Sequence, residues 1–196
     1  MKGAAGFGLG TQTVAALRAG TPAPRRHPSG PASTWPACRG SRAVRSPSGG
    51  GNSFEWKTGS LFATPLTAPY RDYNGSGAEP ARIVAVTDLP LILNVFRDSD
   101  FIWNNPRAFP ERFGEASQFR GDGTFLPMRA GRHMWETNFV PDLRTFKLKE
   151  WKARGAGGSN MMFVLADGTM HWHMSEMPVG TFKKGHRHGA GFPVFT

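Results

Sequence analysis

Two histidines near the carboxyl end have a spacing that can place two imidazoles on one metal ion. His186 and His188 are separated by a single residue, and residues two apart on a β-strand point to the same face. Such a pair can bind Fe, Mn, Ni, Cu or Zn and leaves coordination positions for a carboxylate, water or substrate. The spacing therefore predicts His186 and His188 as metal ligands. The alternative is a pair of exposed residues on a basic strand.

A second pair with the same spacing lies earlier in the chain. His171 and His173 alternate with Trp172 and Met174 along a predicted strand. They are either accessory ligands or substrate contacts, or they form the polar face of an edge strand, which is the interpretation we favour. Glu176, the nearest carboxylate, is odd-spaced from His173 and would point to the other face of a regular strand.

The glycine that precedes the carboxyl-terminal pair extends the pattern. Gly180 is followed after five residues by His186 and His188, a spacing that resembles the first motif of the cupin superfamily. That motif continues with a glutamate three or four residues later. Phe192 and Pro193 occupy those positions here, and neither side chain can bind a metal, so the resemblance lacks its third ligand.

An earlier stretch resembles the second cupin motif. Its Gly, Pro and Asn have the expected spacing, but Thr replaces the turn Gly and Tyr replaces the ligand His: Gly59, Pro65, Thr67, Tyr70 and Asn74. Within one cupin barrel the first motif precedes the second, so the order here resembles the end of one barrel followed by the start of another. Bicupins, including gentisate-type ring-cleaving dioxygenases, have that arrangement.

The resemblance implies an all-β fold of incomplete double-stranded β-helix, or jelly-roll, barrels. We expect residues 52–90 to form the C-terminal part of a first barrel, 91–158 an inter-barrel linker and 159–196 the N-terminal part of a second barrel. An alternative is one permuted barrel that brings Tyr70 near the carboxyl-terminal histidines.

Residues 1–51 differ in composition from the rest of the chain. They contain mainly Gly, Pro, Ala, Ser and Arg, with too few apolar side chains to offset the entropy of ordering. We expect this segment to be disordered, and either non-native, a targeting segment or a linker. The abrupt carboxyl end and this segment together raise the alternative that the chain is a truncated gene product without activity.

Local patterns predict strands on both sides of the expected linker. Alternating or β-branched runs, bounded by Gly, Pro and Asn turns, mark them: Phe54–Lys57, Leu61–Ala63, Ala81–Thr87, Asn160–Leu165 and Thr169–Met177. The last two runs flank Asp167-Gly168, which predicts a hairpin. The run 91–96 is compatible with either a short helix or an apolar strand.

Charge and cysteine content exclude several classes of protein. The net charge is +10, but the first 50 residues carry +7 of it, with seven basic and no acidic side chains. The remaining chain therefore lacks the basic surface of a nucleic-acid-binding protein. Cys38 is the only cysteine, which suits a reducing compartment, and we expect a cytoplasmic protein. No apolar run approaches 18 residues, so no membrane span is expected.

The resemblance implies a mononuclear metal cupin that acts by dioxygen chemistry on a small aromatic or carboxylate substrate. Fe(II) is the expected metal, with Mn, Ni or Zn as alternatives. A non-catalytic binding or structural cupin is the other interpretation, favoured by Tyr70 and by the absent glutamate. Exposed strand edges predict self-association into a homo-oligomer.

Overall fold

The fold is mostly β. The computed structural model describes residues 4–6, 12–15, 39–45, 51–64, 68, 70–76, 80–104, 119–127, 133–150, 157–166 and 168–182. The strands described are β1 (Ala4–Gly6), β2 (Gln12–Ala15), β3 (Arg39–Arg45), β4 (Gly51–Lys57), β5 (Leu61–Thr64), β6 (Tyr70–Asn74), β7 (Val84–Thr87), β8 (Thr124–Pro127), β9 (His133–Glu136), β10 (Phe139–Val140), β11 (Lys149–Glu150), β12 (Ser159–Leu165) and β13 (Met170–Glu176). The helices described are α1 (Leu89–Val95) and α2 (Ser99–Trp103). A β-rich fold is thus confirmed, and its assignment as a jelly roll stays a prediction.

These strands form three sheets. The first has the order β1-β6-β3-β4 and the second the order β10-β5-β2-β7, each with antiparallel pairing. The third is built around β12, which pairs with β13 along its whole length and with β9 and β11 over shorter stretches. Because a strand has only two edges, β9 and β11 share the edge opposite β13, and β8 extends the sheet beyond β9.

The alternation predicted for β4 produces the first core. Phe54 and Trp56 are buried, whereas the intervening Glu55 is exposed. The ring of Phe54 lies 5.3 Å from that of Phe62 and 4.6 Å from that of Phe139, measured between centroids. Aromatic pairs in this range contribute beyond the area that they bury. The strand predicted at 54–57 therefore exists and supplies the centre of an aromatic cluster.

The second core lies against one face of the β12 sheet. It contains Leu61, Ala63, Val140, Met161, Phe163, Leu165 and Ala166. Trp135 of β9 and Trp172 of β13 are both in register with Phe163, and both pack on this cluster. Three neighbouring strands thus turn the same face inward, which leaves the other face of the sheet for different contacts.

A buried carboxylate ties the turn between β4 and β5 to a 3-10 turn at Leu143–Thr145. Asp142 Oδ1 accepts hydrogen bonds from the backbone N and the Nε of Arg144, over 3.0 and 2.9 Å. Arg144 Nη2 donates to Asp142 Oδ2 over 2.7 Å and to the carbonyl of Thr58 over 3.0 Å. Gly59 has φ +92°, and a Cβ there would lie 2.7 Å from Asp142 Oδ1. The turn therefore requires glycine for both conformation and space.

Residues 91–95 of the run 91–96 fall in helix α1 and Phe96 caps its end, so the structure favours the helix of the two alternatives left by the sequence. Pro90 stands in the first turn of α1, where its fixed φ suits a helix start. Asp98 caps α2, since its side chain accepts hydrogen bonds from the backbone N atoms of Asp100 and Phe101. In α1 no side chain is buried, and Leu91, Leu93 and Val95 are exposed.

Three described strands lie within residues 1–51, the segment expected to be disordered, and that expectation stays a prediction. Strands β1, β2 and β3 lie in this stretch and pair with β6, with β5 and β7, and with β4 and β6, respectively. Composition did not predict them, because a strand added to existing strands satisfies its backbone groups with few apolar side chains of its own.

The stretch expected to be a linker also contributes to the sheets and cores. Phe139 and Val140 of β10 pair with β5, and Val140 belongs to the same cluster as Phe163 of β12. Packing in the structure therefore crosses the boundaries drawn at 90 and 158. The assignment of the flanking stretches to two separate barrels stays a prediction.

Within the described ranges, neither helix has the length and apolar character needed to cross a lipid bilayer.

Candidate metal-binding face

Strand β13 presents two histidines on one exposed face. His171 and His173 are exposed, and they alternate with the half-buried Trp172 and Met174, which pack on the second core. His173 Nε2 lies 3.4 Å from the hydroxyl oxygen of Ser175, two residues further along the same face. The alternation expected from the sequence thus directs both imidazoles away from the core.

The strands beside β13 supply further side chains to that face. His173 is directly opposite Met162 of β12, and His171 is opposite Val164. On the far side of β12, Met134 of β9 is in register with Met162. Because residues paired across neighbouring strands point to the same side of a sheet, the two methionines and His173 form one row across three strands.

A parallel row contains a carboxylate. Glu136 of β9 is in register with Val164 and therefore lies in the row of His171. The two side chains are two strands apart, or roughly 10 Å at the usual strand spacing, and Val164, which lies between them, offers no ligand. Consistent with this, the described part of the chain contains no group of three or more His, Cys, Asp or Glu side chains that could hold a metal.

Tyr70 occupies a different part of the structure. It is half-buried at the start of β6 and packs against the cluster centred on Phe54. β6 belongs to the first sheet and β13 to the third. The phenol is thus placed as a partner of the aromatic core, and its proposed role beside the histidines stays a prediction.

His186 and His188 lie outside the described residues, and the structure gives the position from which the chain approaches them. After β13 the backbone N of Thr181 donates to the carbonyl of Pro178 over 3.2 Å, and the hydroxyl of Thr181 donates to the same oxygen over 2.7 Å. Gly180 has φ +79°, as the third position of a type II turn requires. The chain therefore reverses direction directly after the strand that carries His171 and His173.

The most strongly perturbed carboxyl is structural in character. Hydrogen bonds from Arg144 are the main cause that lowers the pKa of Asp142 to about 2, and Lys57 Nζ lies 3.5 Å from Asp142 Oδ2. These partners occupy both carboxylate oxygens. The cluster therefore acts as a link between turns and offers no free ligand to a metal.

Sequence reasoning missed the methionines and Glu136 on the outer face. Strand β9 was not predicted, and its parallel pairing with β12 joins residues far apart in the chain. A strand predicted at Asn160–Leu165 places Met162 and Phe163 on opposite faces, and this periodicity is the signal that could have placed Met162 on the face away from the core.

No family model, no curated protein and no solved structure matches the chain.

Proposed function

We propose that the protein binds a divalent transition metal through His186 and His188, as a β-rich protein of the cupin type. The described turn after β13 is the observation that carries this proposal. It reverses the chain between an exposed His-x-His pair, which is separated from Pro178 by four residues, and a second pair, which is separated from Thr181 by four residues. Both pairs then belong to neighbouring lengths of chain.

The positions in the sequence make the argument more specific. In a hairpin closed by Pro178 and Thr181, residues are paired by counting outward from the turn, and directly paired residues point to the same face. Counted in this way, His186 falls opposite His173, and His188 falls opposite His171. The proposal thus requires the returning chain to follow β13 in this register, with four imidazoles on one face.

The ligand set suits the expected metals. Imidazole binds Fe(II), Mn, Ni and Zn, and His171 and His173 would serve as accessory ligands in place of the glutamate that the cupin pattern lacks. We propose Fe(II) as the resident metal, which when bound supplies activation of dioxygen. The protein's own residues would hold the metal on an exposed sheet face, open to a small aromatic or carboxylate substrate. A homo-oligomer formed through strand edges and a cytoplasmic location belong to the same proposal.

A non-catalytic metal-binding protein is the second candidate. Tyr70 supports it, because this residue stands where the cupin pattern has a ligand histidine and its side chain packs on the aromatic core. Dioxygen uptake by the Fe(II)-loaded protein, with small aromatic acids as substrates, separates the two candidates.

The metal site is tested by loading purified protein anaerobically with Fe(II) and measuring bound metal by mass spectrometry. We expect one ion per chain in the parent protein and a loss of at least about tenfold in affinity in His186→Ala and His188→Ala, because each removes a direct ligand. His133→Ala is the matched control: this histidine is half-buried on β9 and is not part of the proposed set. Equal binding by the His186 variant and the control would refute the proposal.

A further inference from the structure

The outer face of the β12 sheet carries a second set of metal ligands of a different chemical kind. His173, Met162 and Met134 are adjacent members of one row, on β13, β12 and β9. We propose that this row binds a soft monovalent metal ion, Cu(I), through one imidazole and two thioethers. This site requires neither His186 nor His188, and its two thioethers are not part of the site proposed above, with which it shares only His173.

Two observations place the three side chains on the same face. The pairing register aligns His173 with Met162 and Met162 with Met134. The residues that alternate with them, Phe163 and Trp135 among others, pack on the second core on the opposite face. Register and burial thus agree on the direction of the row.

The spacing permits a shared ion above Met162. Side chains directly opposite in an antiparallel pair have Cβ atoms about 4.5–5.5 Å apart, and neighbouring strands are about 4.8 Å apart. His173 and Met134 therefore flank Met162 at similar distances. Methionine has three rotatable bonds and a polarizable sulfur, so both thioethers can turn toward an ion beside the more rigid imidazole.

The chemistry of the row selects Cu(I). Thioether ligands are soft and favour Cu(I), whereas carboxylate and carbonyl oxygens favour Mg, Ca and Mn. Val164 and Leu126 lie beside the methionines on this face and offer no competing oxygen ligand. His173 itself is exposed, which leaves a path for the ion to enter.

Met134 and Met162 differ from Met161 and Met174 in the face of the sheet on which they lie. Met161 and Met174 point to the other face, where Met161 is a buried core residue and Met174 packs on the same cluster. Met162 and Met134 are half-buried, and neither is a member of a described core cluster. The pair on the outer face is therefore available as ligands in a way that the core pair is not.

The site is tested by titrating the full chain with Cu(I) under anaerobic, reducing conditions against a chromophoric Cu(I) chelator. We expect one Cu(I) per chain at this row. The affinity should fall at least about tenfold in Met162→Leu and in Met134→Leu, because leucine has a volume similar to that of methionine but no thioether. The control Met174→Leu, on the opposite face of β13, should bind Cu(I) within twofold of the parent protein. Unchanged affinity in Met162→Leu and Met134→Leu overturns the proposal.

Methyl NMR of the unmutated protein provides a test that does not depend on how the variants fold. With 13C-labelled methionine methyl groups and Ag(I) as an oxidation-resistant substitute for Cu(I), the signals of Met134 and Met162 should shift, while those of Met161 and Met174 stay in place. Shifts spread equally over both pairs, or no shift at all, would contradict the proposed site. His186→Ala combined with His188→Ala must leave these Ag(I) shifts intact, which separates this site from the one under Proposed function.

Discussion

Asn138 Oδ1 accepts a hydrogen bond from the backbone N of Ala166 over 2.9 Å, between two buried residues that are 28 positions apart. The carbonyl of Asn138 also accepts from the backbone N of Ala63 over 3.0 Å. Ala166 has φ +48°, a conformation that costs a non-glycine residue free energy. Asn138 thus connects the turn after β12 with β5, through its side-chain amide on one side and its backbone carbonyl on the other, and the amide helps to hold an unfavourable backbone conformation in place.

We predict that Asn138→Ala lowers the free energy of unfolding by about 1–3 kcal/mol. The substitution leaves the N–H of Ala166 without its partner in a buried position, and an unsatisfied buried donor costs about that much. Urea denaturation measures the effect. Asn104→Ala, at an exposed position after α2, is the control, and a midpoint for Asn138→Ala equal to that of the control would contradict the role of the amide.

Acid should weaken the link formed by Asp142. The pKa of this carboxyl is about 2 in the folded protein against an ordinary value of 3.8, so the folded protein binds the proton less readily than the unfolded chain. The resulting stabilisation is fully present above about pH 4 and is lost as the pH falls toward 2. Because Arg144 is well exposed, solvent screening reduces the contribution to roughly 1–2 kcal/mol.

The test compares Asp142→Asn with the parent protein across that range. The variant should be less stable at pH 7, and the difference should shrink toward pH 2. Asp122→Asn, at an exposed position, should show little difference at either pH. A constant difference from pH 7 to pH 2 for Asp142→Asn would exclude an electrostatic origin.

Gly59→Ala should destabilise the protein more than Gly168→Ala does. Both positions have positive φ, +92° and +82°, so each alanine incurs a backbone cost of about 1–2 kcal/mol. At Gly168 the nearest atom to a new Cβ is 3.9 Å away, whereas at Gly59 Asp142 Oδ1 would be only 2.7 Å away. We expect thermal denaturation to show a larger loss at Gly59, and equal losses would mean that the turn tolerates the clash.

Phe163→Ala should cost about 3–5 kcal/mol, as is usual for a buried phenylalanine. Its ring is fully buried and meets that of Phe146 edge-on, at 4.9 Å between centroids. Phe182→Ala, at an exposed position, should leave the unfolding free energy within about 0.5 kcal/mol of the parent value. Similar losses in the two variants would show that the core described around β12 is wrong.

Local contacts explain which elements the sequence could predict. The alternation of Phe54 and Trp56 with exposed residues gave β4, and the runs on either side of Gly168 gave the hairpin of β12 and β13, because both signals lie within a few consecutive residues. The hairpin register runs from Leu165 paired with Met170 outward. These elements needed no information about distant parts of the chain.

The elements that were missed depend on distant partners. β9 is a short strand that pairs in parallel with β12, and β1 to β3 pair with strands that follow later in the chain. Asn138 likewise has no local pattern, since its role arises from the backbone N–H groups of Ala63 in β5 and of Ala166 in the turn after β12. Only part of the candidate metal face could be predicted from the sequence. The spacing of the histidines placed them on one face of a strand, whereas Met134 and Glu136 are placed there only by the pairing of β9 with β12.

The central claim is that the histidines on either side of the Pro178–Thr181 turn share one metal ion, and NMR of the imidazole nitrogens during titration with Zn(II) tests it most directly. The chain has six histidines, so each can be assigned by single substitution. The account predicts that the nitrogen signals of His186 and His188 shift together at one equivalent of Zn(II). The signals of His171 and His173 should shift as well, and those of His133 should stay in place. Shifts confined to other histidines, or none at one equivalent, would contradict it.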